Sequence, residues 1–291
     1  MITFRAFAAA LAALLVSAAA QAAGLLGPAA LLARHAGLGP QLAGNAFGGA
    51  LVLQSDEPPR RIEGDVYAVL EHPFAAVSTA LSDPAQWCEI LILHLNTKHC
   101  RRAELQGVPR VQLRVGRKEP QAVQDASLLD FAWHAPQARG DYLAVQMDAP
   151  DGPYDTRDYR LFAEAVPLAG GRTFLHLGYG MGYGGASRLA MQLYLGTIGR
   201  DKVGFTRVRR GDGEDFVDGM RGVVERNTMR YYLAIDAYLD SLALPAGQRL
   251  EKRLHAWFDA TERYPRQLHE VEREAYLRMK REEVRRQGVA P

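Results

Sequence analysis

The sequence predicts an α+β fold in which a curved antiparallel sheet grips one long helix, with an additional C-terminal helical extension. Three observations predict it. The stretch GMRGVVERNTMRYYLAIDAYLDSL places Met220, Val223, Val224, Asn227, Tyr231, Ala234, Ile235, Tyr238 and Leu242 at steps of three and four. That spacing gathers them on one face of a helix of about six turns. Five segments between residues 110 and 181 instead alternate with period two, the pattern of half-buried strands. The links between those segments, GRKEP, PQARGD, PDGP and PLAGGR, are mostly short and turn-rich. They suit hairpins rather than helical crossovers. Strands joined this way form an antiparallel meander with one apolar face, on which the long helix can lie.

The ends of the chain and its composition narrow the possibilities. Hydrophobic residues make up 48% and charged residues 23% of the 291, a globular balance that allows one large domain or two small ones. The 35 basic and 33 acidic residues nearly cancel, which gives no reason to expect nucleic acid as a partner. Arg5 precedes an apolar run from Ala6 to Ala20, and Ala20-Gln21-Ala22 supplies small residues for cleavage. This reads as a secretory signal peptide cut near Ala22, of bacterial style, with the periplasm as destination. No later run is long and apolar enough for a transmembrane anchor. The two cysteines, Cys88 and Cys100, are then expected to form a disulfide. The alternative is a metal or redox pair, because His94 and His99 lie between them, although the spacing is not C-x-x-C.

Taken in order, LLGPAALLARHAGLG predicts a short helix, and residues 23–60 as a whole read as an irregular lead-in. IEGDVYAVLEHP alternates and reads as a strand closed by Pro73; FAAVSTAL reads as a short helix stopped before Pro84. The run CEILILHLNTKHC fits a second short helix or a buried strand equally well. The five alternating segments are Arg110–Val115, Ala126–His134, Tyr142–Met147, Thr156–Val166 and Arg172–Met181. Ala186–Ile198 is apolar nearly all round and predicts a helix buried on two sides. A hairpin follows around Gly211-Asp212-Gly213. After the long helix, Pro245–Gln287 reads as two charge-dense helices split at Pro265.

The order of strand, short helices, antiparallel strands and long helix, together with DVYAVLEHPFAAVSTALSDPAQW, resembles the START-like helix-grip superfamily, which includes polyketide cyclases. The family-like opening is Val66–Leu70, Pro73, Ala75–Leu81 and the corner Asp83-Pro84-Ala85-Gln86-Trp87. The resemblance spans about Gly64 to Leu242. It implies an apolar cavity between sheet and helix that takes lipids, sterols or polyketides. The hairpin before the long helix and the charged extension depart from the pattern. They leave open whether Ala186–Ile198 or Gly219–Leu242 closes the cavity. The expected organisation is a signal peptide to residue 22, the lead-in to 60, a ligand-binding domain over 61–244 and the extension over 245–291.

Candidate chemistry is sparse. Gly180–Gly185 matches G-x-G-x-x-G between a strand and a helix, with Asp201 sixteen residues on. Its late position and the antiparallel surroundings favour a bent, glycine-rich strand end over a dinucleotide site. Neither H-E-x-x-H nor G-x-S-x-G occurs, so no zinc protease or nucleophile elbow is expected. His134 and His176 fall within strands, opposite the main apolar set; His176 is the one weak candidate for a cavity acid or base. Asp155, Arg157, Asp158 and Arg160 form one alternating charge cluster, and Arg221, Glu225, Arg226 and Arg230 another. Both fit solvated faces or ion-pair networks; an arginine inside the cavity would instead receive a ligand carboxylate.

The expected ligand-binding set is Trp133, Tyr159, Phe174, His176, Tyr179, Tyr183, Arg226, Asn227, Arg230, Tyr231 and Tyr238. Its aromatics line sheet and helix, and its hydroxyls meet an apolar guest. The expected function is a periplasmic carrier for a lipid or other hydrophobic small molecule, without cofactor or metal. A cyclase, dehydratase or isomerase using the same cavity is the alternative. Charges of both signs along Gln248–Gln287 suit a soluble helical pair or an arm for a protein partner.

Overall fold

The computed structural model describes residues 24–185, 202–211 and 213–288. The signal-peptide reading, the predicted helix Ala186–Ile198 and Asp201 lie outside the described residues. Eight strands run in the order β1-β2-β9-β8-β7-β5-β4-β3, and the short β6 pairs with β7. They are β1 (Leu51–Asp56), β2 (Arg61–Leu70), β3 (Thr97–Leu105), β4 (Val108–Val115), β5 (Ser127–Trp133), β6 (Gln137–Ala138), β7 (Leu143–Asp151), β8 (Thr156–Leu168) and β9 (Arg172–Tyr183). Every pairing is antiparallel. The predicted meander is therefore present, and β2 returns to pair with β9 beyond it. The predicted hairpin is β10 (Arg207–Arg210) with β11 (Gly213–Phe216).

Besides the two-residue β6, which lies in the link PQARGD, two strands escape the sequence pattern. β1 lies in the stretch read as irregular lead-in, because glycines and prolines flank LVLQSD. Its strand character comes from pairing with β2, Leu51 opposite Ala68 through Asp56 opposite Glu63. The lead-in is therefore built into the sheet. β3 shows no alternation: its first four residues are buried and Arg101 and Arg102 are exposed. A tight turn joins it to β4, with Gln106 and Gly107 both at positive φ (52° and 78°), the geometry of a two-residue hairpin loop.

The ambiguous CEILILHLNTKHC divides. Helix α3 (Pro84–Leu91) follows α2 (Phe74–Leu81), and β3 starts at Thr97. Asp83 caps α3 by accepting from the Ala85 amide at 2.8 Å, with Pro84 in the first turn, where its missing N–H costs nothing. Trp87, fully buried, donates its indole N–H to the Leu81 carbonyl at 2.8 Å. The Cys88–Cys100 disulfide joins α3 to β3, with Cα atoms 5.2 Å apart. Closing a loop of this size contributes about 3 kcal/mol in the chain-entropy account.

The long helix, here α4, runs from Gly219 to Ser241, one residue short of the expectation. It crosses the β1-β2-β9 side of the sheet. Gly64 makes the crossing close: a Cβ there would lie 2.5 Å from Thr228 Oγ1. Val66, Leu129, Phe131, Trp133, Val145, Met147, Leu161, Leu175, Leu177 and Tyr179 meet Val224, Leu233, Ala234 and Ile235 in one core. This is the arrangement expected of the sequence, a curved antiparallel sheet gripping one long helix.

The other face of the sheet is covered as well. Helix α1 (Pro28–Ala43), longer than the predicted short helix, lays Leu31, Leu38 and Leu42 on Tyr67, Tyr142, Val166 and Phe174. The C-terminal extension is also part of the body. It comprises α5 (Ala246–Glu262), a one-turn α6 (Pro265–Leu268) and α7 (Arg273–Gln287), so the predicted break at Pro265 is a short helix of its own. Trp257 donates to the Arg230 carbonyl at 3.1 Å, and Tyr276 to the Leu93 carbonyl at 3.0 Å. Beneath α7, Lys98 and Lys280 both pair with Glu283, at 3.0 and 2.7 Å.

Candidate functional site

The inner face of the sheet and α4 bring together Tyr159, Tyr179, Asn227 and Tyr231 from the expected set, and add His94, which follows α3. Tyr179 and Tyr231 ring centroids are 5.2 Å apart, His94 and Tyr231 5.1 Å, Tyr159 and Tyr179 6.4 Å. Asn227 and Tyr231 are four residues apart on α4 and so share its inner face. Both are only half-buried, whereas neighbouring Val224, Thr228 and Leu233 are buried. Burial nonetheless pushes the Tyr231 phenol, like that of Tyr179, well above the ordinary range.

His94 is 4% exposed. Its Nδ1 accepts from the Asn96 amide at 3.1 Å, so the proton sits on Nε2. That Nε2 makes no hydrogen bond of good geometry among the described residues, and the Asn227 side chain of α4 is its polar neighbour. Burial first, and then the charges of Arg230, Lys280 and Lys118, hold the imidazole well below its usual pKa. It is neutral at physiological pH. Sequence reasoning weighed His94 only as a metal ligand; the signal it carried was a lone histidine inside an apolar run.

His176 lies elsewhere. On β9 it sits opposite Tyr67 of β2 and Glu164 of β8, on the outer face beneath α1. Its Nδ1 and Nε2 each lie 2.8 Å from a carboxylate, Glu164 and Asp65. The ring is fully buried and stacks on Tyr67 at 4.2 Å. Burial alone would lower its pKa; the hydrogen bonds to Asp65 and Glu164 overcome this and raise it. Glu164 also accepts from the Leu26 and Gly27 amides, at 2.9 and 3.1 Å, and from the Tyr142 hydroxyl at 2.8 Å. A carboxylate there satisfies the open N–H groups that begin α1. The sequence placed His176 and Phe174 among cavity residues; both point away from the inner face, because a second helix covers the back of the sheet.

The remaining expected residues disperse. Trp133 packs on Trp87 at 6.2 Å, within the inner core. Tyr183 ends β9 and donates to Glu57 at 3.1 Å. Tyr238 lies under the Arg253 guanidinium, 4.3 Å away, towards α5. Arg226 donates to the Val203 carbonyl at 3.1 Å. Arg230 pairs with Glu270 at 2.8 Å, and Glu270 also meets Lys118 at 2.8 Å and Lys202 at 3.5 Å. Both arginines therefore engage protein groups. His134 Nε2 meets the Asp148 carboxylate at the surface. Gly180 and Gly182 lie within antiparallel β9, which removes the βα context of a dinucleotide loop. His72, Asp236 and Asp240 bring three potential ligand atoms within 4.8 Å of one another; His72 Nε2 already pairs with Asp240 at 3.2 Å.

No family model matches the chain, and no curated protein matches it. Solved structures similar to it include a START superfamily protein from Mycobacterium smegmatis, at 15% identity and TM-score 0.30, covering 45% of this chain and 75% of that one. Ara h 8.0201 is similar at 10% identity and TM-score 0.37, covering 66% and 99%. The Zhui aromatase/cyclase from Streptomyces sp. R1128 is similar at 14% identity and TM-score 0.31, covering 70% and 95%. These likenesses are too slight to carry activity across. Among the described residues, no helix is long and apolar enough to cross a membrane.

Proposed function

We propose that the protein is an exported, periplasmic carrier that shelters a lipid or other hydrophobic small molecule between the inner face of the sheet and α4. The observation that carries this reading is the half-buried state of Asn227 and Tyr231, on the face of α4 that meets the aromatic side chains of the sheet. Side chains that filled the interior would leave no accessible surface there. The signal-peptide pattern and the disulfide support an oxidising compartment. Affinity comes mainly from apolar burial, at about 25 cal/mol per Å².

The enzymatic alternative needs a group on the inner face that exchanges protons near neutral pH. His94 is held well below that range and the phenols well above it, while His176 is sealed behind the sheet. Binding without catalysis is therefore the better reading. Native mass spectrometry of protein purified from its own host's periplasm is the test. We expect a copurifying apolar molecule, near one per chain, that organic extraction removes. Protein that neither arrives loaded nor takes up an apolar molecule would defeat the proposal.

A further inference from the structure

We infer that the cleft between α3, the end of α4, α5 and α7 binds a small carboxylate with an apolar body, held by Tyr238, Arg249, Arg253 and Gln287. The site stands apart from the inner face of the sheet and is independent of the carrier reading. The cleft measures about 360 Å³, within the range of small-molecule pockets. Ile92, Leu250 and Val284 give it apolar walls. Tyr238 is only 2% and Arg253 only 6% exposed, yet both line it. The Tyr238 hydroxyl makes no hydrogen bond among the described residues, and it is not one of the sealed, unpartnered atoms. Its remaining surface is therefore in the cleft. Arg253 donates Nε to Ser241 Oγ at 2.7 Å and Nη1 to Glu89. Its Nη2 makes no hydrogen bond among the described residues and is likewise not sealed.

Two further donors line the same cleft. Arg249 closes the end of α4, donating Nε to the Leu244 carbonyl at 2.8 Å and Nη2 to the Leu242 carbonyl at 3.2 Å. Its Nη1 is left over. Gln287 accepts from the Cys100 amide at 2.9 Å through Oε1, which leaves its Nε2 protons for another acceptor. Burial, and then Glu89, push the Tyr238 phenol above its ordinary range, so the hydroxyl keeps its proton and can donate. The charged groups that bear on it are Glu89, Arg253, Arg249 and Asp83. Glu89 is bound to Arg253, and Asp83 caps α3. Arg249 makes no ion pair among the described residues, so the lining sets two guanidinium groups against one carboxylate. Four donors and a surplus positive charge match a group that only accepts and is itself negative, which a carboxylate does. An alcohol leaves the charge unanswered, and an amine adds a third cation.

The test is calorimetric titration of the purified protein with 4-phenylbutyrate, 4-phenyl-1-butanol and 4-phenylbutylamine, which share one apolar body and differ in the head group. Backbone-amide NMR places the binding. We expect the acid to bind about ten-fold more tightly than the alcohol, the worth of one charge-assisted hydrogen bond, and the amine not to bind. Amide shifts should cluster at residues 246–253 and 284–287. Tyr238→Phe should weaken the acid about ten-fold and leave the alcohol unchanged. Its thermal midpoint should match wild type, because the lost hydroxyl has no partner in the fold. Arg249→Gln, which keeps an amide donor for the α4 carbonyls, should remove the preference of acid over alcohol and serves if Tyr238→Phe melts early. No binding of the acid in the millimolar range, equal binding of acid and alcohol, full affinity in both variants, or shifts confined to the inner face of the sheet would each overturn the inference.

Discussion

At the scale of single residues, His176 and His94 are two buried histidines in opposite states. His176 has carboxylates at both ring nitrogens and holds its proton more tightly; His94 is held neutral by burial and then by the cations around it. The first has a consequence for stability. A histidine whose folded pKa is raised contributes stability that is fully present below its unfolded pKa, near 6.5, and is lost as pH rises through the folded value. His176→Phe is therefore expected to cost about 3–5 kcal/mol at pH 6, where it leaves Asp65 and Glu164 buried without their partner. The gap to wild type should narrow as pH climbs above 6.5. Urea melts of both proteins across pH 5.5–9 measure it. A gap that widens with pH would mean the imidazole is neutral in the fold. Period-two alternation correctly set His176 opposite Leu175 and Leu177; nothing local to β9 says that a helix covers that side.

At the scale of elements, α7 is held by charge as much as by oil. Tyr276, Leu277 and Met279 bury apolar surface, but Lys280 is fully buried too. It donates to the His94 and Thr97 carbonyls, at 2.6 and 2.9 Å. Burial brings its pKa down to about 8 despite Glu283. Glu283 is the one carboxylate paired with both Lys98 and Lys280 among the described residues. Glu283→Ala should then lose about 3–5 kcal/mol, since two buried ammonium groups lose their counter-ion. Denaturant melts test this, and a loss under 1 kcal/mol would show that α7 docks by apolar contact alone. The sequence reads this helix as a solvated, mixed-charge surface. Which of its charges turn inward depends on where β3 lies, and β3 itself has no alternation to announce it.

At the scale of the molecule, the extension and the sheet make one body. Trp257 and Tyr276 stack at 5.0 Å beneath the back of α4, and Lys98 of β3 finds its partner on α7. A detachable arm would leave ligand binding intact when removed. A chain ending at Leu244 is instead expected to lose cooperative folding, because it exposes the core that α5 and α7 cover. Circular dichroism melts of the truncated protein decide: a sharp transition within a few degrees of wild type would restore the arm.

The sequence by itself determined the alternating strands, the six-turn helix and the Asp83-Pro84 corner, because periodicity and capping are local properties of the chain. It also placed Tyr231 and Asn227 on the inward stripe of α4, since helical spacing fixes a shared face. Only the tertiary structure decided that LVLQSD is a strand, since its strand character comes from pairing with β2. It alone separated His176 from the tyrosines and brought His94 to them. Which face of a sheet is inner, and which loop reaches it, are set by contacts between residues far apart in the chain. Those contacts leave no periodic trace in the residues that make them.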